Sequence, residues 1–327
     1  MVGSLIPGGT GTPRWLEEGS FSLRPVREAD RDEIYAMTAH TWDDGDYIPE
    51  VFDLWLADER GVFAALVHEP SGRIAAIDKV SELAPGQFWF EGLRVNPDFR
   101  GQGISGKLQT HMVSVVRASG ARVVRFLTLA NNVPIHIAAY RDGFHIVALT
   151  RYWRWKSTYA YDGDVAPLSL RPARPEEAPS LHDWWRTTAS YATEGLLHRR
   201  WTFYEGSDNN WIEAAHEGRL LVELGYSPPE AKIAPAAVMW AADSEGDNVW
   251  WQVAATIAAP EQWAPLYRGL LEEAERQGVT DVEGLFADVH SANVGLKAAG
   301  LQPDPDHDRL YVFALPFKSE SIGAPSA

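Results

Sequence analysis

Residues 100–108, Arg-Gly-Gln-Gly-Ile-Ser-Gly-Lys-Leu, carry the densest chemical signal in the chain. Gly101, Gly106 and Lys107 fit the G-x-x-x-x-G-K of a nucleotide P-loop, and Gly101, Gly103 and Gly106 fit the G-x-G-x-x-G of a dinucleotide turn. Arg100, Gly103 and Ser105 come close to a third pattern, R/Q-x-x-G-x-G/A. All three loops bring backbone N–H groups to a helix start, where a phosphate is held by those groups and by the helix dipole. Glycines let the backbone approach such an anion closely.

The surroundings decide between them. A P-loop needs Ser or Thr after its Lys, and here Leu108 follows. It also needs a later acid for the metal, and a dinucleotide turn needs one for the ribose. From Arg100 to Arg141 there is no Asp or Glu. A nucleophilic serine elbow fails as well, because Ser105 is followed by Gly106 and Lys107. Between Arg94 and Arg141 the cations Arg94, Arg100, Lys107, Arg117, Arg122, Arg125 and Arg141 face the single acid Asp98. That basic island in an acidic chain suits an anionic ligand, though a solvated face with a packing turn would look the same.

The elements that must hold the loop follow from periodicity. Strands are expected at Phe21–Pro25, Val62–His68, Arg73–Glu82, Phe88–Val95 and Val123–Leu129, and one or two more within Phe144–Trp155. Helices are expected at Glu28–Ala39, Val51–Asp58 and Pro134–Asp142. Another is expected at Ile104–Ala118, where Ile104, Leu108, Met112, Val115 and Val116 share a face and Gly120 ends the run. A meander of strands therefore precedes the loop, which is the wrong order for either nucleotide fold.

With this context the third pattern is the best fit. The run Leu93-Arg-Val95-Asn-Pro97-Asp-Phe-Arg100-Gly-Gln-Gly103-Ile-Ser105-Gly-Lys-Leu108 resembles the V-x-P-x-x-R-G-x-G-x-G/A-x-x-L of the GNAT superfamily of N-acyltransferases. Asn132 and Gly143-Phe144 stand where that family has N-x-x-A and G-F. The resemblance implies acetyl-CoA, or another acyl-CoA, as co-substrate. Its pyrophosphate would be held by Arg100, Gly101, Gln102, Gly103, Ile104, Ser105 and Gly106, with Asn132 adding a contact. It implies backbone polarisation of the thioester from Leu93, Arg94 and Val95, and direct attack by an amine in a ternary complex. Glu91 is the expected base. The family's tyrosine, four residues before the glycine of G-F, is replaced by Ala139, so Tyr140, one place along, is the candidate acid. The alternative is a non-catalytic acyl-CoA sensor.

The chain also repeats itself. Residues 21–31, FSLRPVREADR, match 168–178, LSLRPARPEEA, and 127–144 echo 285–301 in the same order. The expected fold is therefore α/β: two tandem domains, 20–157 and 167–316, each a mixed, mostly antiparallel sheet flanked by helices. A linker over 158–166 and flexible tails over 1–19 and 317–327 complete it. The second copy loses the loop. From Pro260 to Gly278 it is shorter than from Pro97 to Gly120, has no G-x-G, and places Glu261 where an anion would sit. It is expected to bind no coenzyme A.

Composition sets the outer limits. The 327 residues are long enough for two domains, and 45% are hydrophobic. A net charge of -16 argues against nucleic acid. There is no cysteine, and the ten histidines show no metal spacing, so no metal is expected. No apolar run reaches membrane length and no signal peptide is evident, so a cytoplasmic protein is the default. Expected partners are a small-molecule or peptide amine and a second copy of the chain. Asp43, Asp44, Asp46 and Glu50 are candidates for attracting a cationic acceptor. The pairs Trp184-Trp185 and Trp250-Trp251 are expected to fill cores.

Overall fold

The repeated S-L-R-P explains itself in three dimensions. Strand β1 (Phe21–Pro25) leads into a 3₁₀ turn at Glu28–Asp30 and then α1 (Arg31–Thr38). Arg24 donates two hydrogen bonds to Asp30, at 2.6 and 2.8 Å, and the Arg27 N–H donates to the same carboxylate at 2.7 Å. In the second copy β7 (Leu170–Pro172) leads into Pro175–Glu177 and the helix Ala178–Thr188. There Arg171 donates to Glu177 at 2.8 and 2.7 Å, and the Arg174 N–H at 2.7 Å. A strand arginine thus clamps a helix-opening carboxylate twice, in a bidentate geometry that also satisfies an orphan amide. Its charge neighbours hold Asp30 below the usual carboxylate range and Glu177 at about 2, against the burial that would raise both.

The computed structural model describes residues 16, 20–41, 45–161, 163–188, 193, 195–228, 231–245 and 248–317. The expected tails fall almost wholly outside them, as do Asp43 and Asp44. The chain divides into two compact units, Met1–Phe126 with His136–His145 and Ala314–Ala327, and Leu127–Ile135 with Ile146–Phe313.

In the first unit, α2 (Ile48–Leu56) follows α1, then β2 (Gly61–His68), β3 (Arg73–Ala84) and β4 (Gln87–Val95) form an antiparallel meander. β1 adds to β2 antiparallel. After the loop, α3 (Ile104–Ala118) crosses to β5 (Val123–Leu129), whose start pairs with β4 in parallel. Helix α4 (Val133–Arg141) follows. α2 begins three residues before the expected Val51. Pro49 sits in its first turn, where proline's fixed φ and missing N–H suit a helix start. One core joins Ile34, Met37, Ile48, Phe52, Trp55, Phe63, Ala65, Ile74 and Ile77.

In the second unit, β6 (His145–Lys156) pairs antiparallel with β13 (Asp281–Ala287). β13 runs parallel to β12 (Asn248–Ile257), and β11 (Ala237–Glu245), β10 (Leu220–Glu223) and β7 continue antiparallel. A separate hairpin joins β8 (Leu196–Arg199) to β9 (Thr202–Glu205), and α6 (Asp208–His216) follows the helix α5 over Ala178–Thr188. α7 (Trp263–Arg276) and α8 (His290–Ala298) complete the frame, followed by β14 (Gln302–Pro303) and β15 (Leu310–Pro316). Sequence reading places β6 in the first domain; in the sheet it lies between β15 and β13. Non-local backbone pairing leaves no local signature. Trp251 stacks on Trp240 at 3.8 Å in this core, while Trp185 packs near Trp211. Each unit is thus a mixed, mostly antiparallel sheet with helices against it. No helix among the described residues is long and apolar enough to cross a membrane.

Candidate active site

β4 is the strand that builds the site. Val80 pairs with Phe90 and Lys79 with Glu91, but the next partners are Ile77 with Arg94 and Ala76 with Val95. Gly92 and Leu93 thus stand opposite Asp78 alone. This is a β-bulge, which bends a strand and re-aims the residues beside it. Gly92 has φ +68°, and a Cβ there would lie 2.4 Å from the Trp55 ring, so both conformation and space demand glycine. β4 pairs with β5 only from Gln87–Trp89 to Val123–Arg125. Beyond Trp89 no further β4–β5 pairs occur among the described residues, and the two strands part.

The turn after β4 is pinned by Asn96. Its side chain donates to the Ile74 carbonyl at 2.9 Å and accepts the Asp98 N–H at 3.2 Å. A 3₁₀ turn, Pro97–Phe99, buries Phe99. Then come four loop residues. Gly101 and Gly103 have φ +79° and +70°, and the space a Cβ would take at either is open. Gly103 is the N-cap of α3, so no side chain caps the helix, and its first turn holds no acid. The first main-chain bond is Lys107 N–H to Gly103 carbonyl at 3.2 Å. The amides of Ile104, Ser105 and Gly106 therefore have no intrahelical partner.

Charge gathers at the same place. Arg100, Gln102 and Lys107 are exposed. Arg141 of α4 reaches over Gly106, where a Cβ would lie 2.8 Å from its guanidinium. Arg141 entered the sequence reading only as one of the island's cations; its approach depends on a glycine on another helix. Ile104 contributes only its backbone, since its side chain is buried in the core. Arg94 is engaged elsewhere. It donates to Asp46 at 2.7 Å, and its guanidinium lies 5.3 Å from the Tyr47 ring centroid. The Asp46 side chain is 1% exposed, so this carboxylate anchors the loop before α2 instead of facing an acceptor.

Glu91 enters the bulge with its carboxyl mostly enclosed. Burial pushes it up to about 7; Lys79 pulls the other way and Asp58 adds to the rise. Tyr47, which senses the charge of Glu91, is pushed up to about 12, chiefly by loss of solvent, and so stays protonated. Its ring meets Trp55 edge-on at 5.9 Å. Tyr47, Asp58 and Lys79 escaped the sequence reading. Only the alternation of β3 and the acids flanking α2 hinted at them.

The other expected residues fall differently. Tyr140 is 55% exposed on α4, while Ala139, at the position the family's tyrosine would take, is fully buried. Asn132 belongs to the second unit, where its amide donates to Thr128 at 3.1 Å. Among the described residues no group of three His, Asp or Glu is placed to hold a metal ion.

Residues 26–144 match the acetyltransferase (GNAT) family model, and this segment belongs to that family. A histidine N-acetyltransferase of Oreochromis niloticus is 32% identical over 108 residues, covering 32% of this chain and 31% of the relative. The match thus spans under a third of that protein. The fold recurs over a longer span. The crystal structure of a GCN5-related N-acetyltransferase from Sphaerobacter thermophilus aligns with TM-score 0.59 at 15% identity, covering 91% of this chain and 96% of that one. A tandem GNAT protein from the clavulanic acid biosynthesis pathway aligns with TM-score 0.50 at 15% identity, covering 94% and 100%.

Proposed function

We propose that the first unit, with its GNAT segment, is an acyl-CoA-dependent N-acetyltransferase that acts on an amine by direct attack, and that the second copy binds no coenzyme A. The observation that carries this reading is the pairing of Glu91, held near neutrality, with an open, uncapped glycine loop at the other end of the same bulged strand. The residues present fit the co-substrate. A pyrophosphate would meet the amides of Ile104, Ser105 and Gly106 and the charges of Arg100, Lys107 and Arg141.

Bound acetyl-CoA supplies the activated acyl carbon. Backbone N–H groups along Leu93–Val95, beside the bulge, are donors of the kind that polarise a carbonyl. Glu91 accepts the proton released by the attacking amine, directly or through water, while the C–S bond breaks and the coenzyme A thiolate leaves and takes its proton from solvent; a pKa near the working pH is what such a base needs. Neither position expected to supply the tyrosine acid does so: Ala139 is buried and Tyr140 is exposed on α4. That observation favours a second reading, a non-catalytic acyl-CoA sensor. Among acceptors, histidine comes first in the panel, because the O. niloticus relative is named for it. Other amino acids, polyamines, aminoglycosides and peptide amines follow.

Calorimetric titration with acetyl-CoA tests the core of this. One site per chain is expected, weakened at least about 100-fold in Gly103→Glu, which places a carboxylate at the anion. No binding to the wild type overturns the proposal, and two sites overturn the assignment of the second copy. Thiol release with any amine of the panel excludes the sensor.

A further inference from the structure

Glu91 and Lys79 are cross-strand partners on β4 and β3. Opposite charges in such positions ordinarily pair with each other. Here they do not. The Lys79 ammonium, with its side chain 0% exposed, donates to Asp58 and to the Val80 carbonyl at 3.2 Å. Among the described residues no hydrogen bond or ion pair reaches the Glu91 carboxyl. Asp58 is itself held, accepting the Arg60 N–H at 3.0 Å. The chain also reserves room for this pair. A Cβ on Gly61 would lie 2.3 Å from the Asp58 carboxylate, 2.3 Å from the Lys79 nitrogen and 2.4 Å from the Val80 carbonyl oxygen. Gly61 has no positive φ, so it is space that requires a glycine there.

We propose that Asp58, with Lys79, is a positioning device for Glu91: Asp58 captures the Lys79 ammonium so that the Glu91 carboxylate stays unpaired and able to take a proton. This rests on the reading of Glu91 as the base. The remaining groups that sense Glu91 are Asp78, from β3, and Tyr47, from the segment before α2. Complete burial raises the Asp78 carboxyl well above its usual range, and loss of solvent raises the Tyr47 phenol, so both shifts favour the uncharged form. The field at Glu91 is then set by the Asp58–Lys79 pair, whose charges oppose each other.

The pair makes a prediction of opposite signs. The full chain, labelled with [5-¹³C]glutamate, is titrated by NMR without ligand, and the Glu91 signal is assigned by its loss in Glu91→Gln. Asp58→Asn releases Lys79 toward Glu91, and the Glu91 midpoint falls by about one pH unit or more. Lys79→Met removes the cation, and the midpoint rises by a similar amount. The double variant returns close to the wild type. Midpoints that stay put, or that move the same way in both single variants, overturn the proposal. Where Asp58→Asn fails to fold, Lys79→Met still decides, because the Asp58 it leaves behind is 23% exposed and can be hydrated. An unmoved midpoint in that variant alone is sufficient to reject the device. Failure of the base reading shows separately, as acetyl transfer undiminished in Glu91→Gln, and does not depend on the titration.

Discussion

The same sequence of elements is used twice, and only one use leaves a loop. In the first unit the 3₁₀ turn Pro97–Phe99 is followed by Arg100–Gly103 before α3 begins. In the second, Pro260–Gln262 runs straight into α7 at Trp263. Both units place a bulge just upstream, between Met239 and Trp240 on the partner strand of the second and opposite Asp78 in the first. Both pair the neighbouring strands in parallel for only a few residues. Yet the residue that enters the bulge is Glu91 in one and Val253 in the other. The helices diverge too. Over Gly106 lies the end of a flexible arginine, which can move, whereas a Cβ on Gly295 would lie 2.3 Å from the Cβ of Trp263 and 3.1 Å from the Ala264 nitrogen. In the second unit a Cβ and backbone atoms stand close to the helix glycine, where in the first only the tip of a side chain does. The frame of strand, bulge, turn and helix therefore stands without the loop.

The sharpest way to break this comparison is at the bulge. Glu91→Gln is expected to lower acetyl transfer by about 100-fold or more, the usual range for losing a general base. The rate is followed as thiol release with whichever amine of the panel turns over best. Acetyl-CoA affinity should be unchanged, since the loop is untouched. Loss of both would move Glu91 from proton transfer to co-substrate binding.

The same substitution has a stability signature of opposite sign. A carboxyl raised from 4.5 to about 7 is neutral in the folded chain while its unfolded counterpart ionises. The folded state then binds the extra proton between those values, so stability falls as pH rises through that window and the cost is complete above it. From the size of the rise the cost is up to about 3 kcal/mol, at 1.36 kcal/mol for each pH unit. Glu91→Gln should therefore melt at a higher temperature than the wild type at pH 8 and at nearly the same temperature at pH 4.5. A gain independent of pH would mean that enclosure, and not ionisation, is what the glutamine relieves.

Local patterns were readable where the chain acts locally. Ile104–Ala118 and Val123–Leu129 are found with the expected ends, because their apolar spacing and the glycine stop at Gly120 lie within the segments themselves. The loop was readable because its glycines, Gly101, Gly103 and Gly106, lie within six residues of one another. The clamp of Arg24 on Asp30 was visible as a repeat before its bonds were known. What stayed hidden depends on distant residues. Asp46 looked like an acceptor lure until Arg94, on β4, was found against it. Lys79 carries no mark in its own segment, because Asp58 and Gly61, which enclose it, lie about twenty residues away. Ladder choice is equally remote, so β6 could not be assigned to β13 from its own residues.

The smallest effect tests whether the close packing of α7 on α8 is what separates the second unit from the first. Gly295→Ala inserts a methyl group where the Trp263 Cβ already stands, and that atom, fixed to the backbone, cannot swing away. Overpacking of this kind costs about 1–3 kcal/mol. The helices α7 and α8 should be forced apart, with a lower melting temperature and faster amide exchange around Leu266, Leu270 and Leu296, which share their core. Acetyl-CoA stoichiometry should remain one per chain, because prising the helices apart supplies neither the four-residue loop nor its glycines, and Glu261 stays at the turn. A second site appearing in Gly295→Ala would show that the second copy had kept a binding surface and lost only the opening to it.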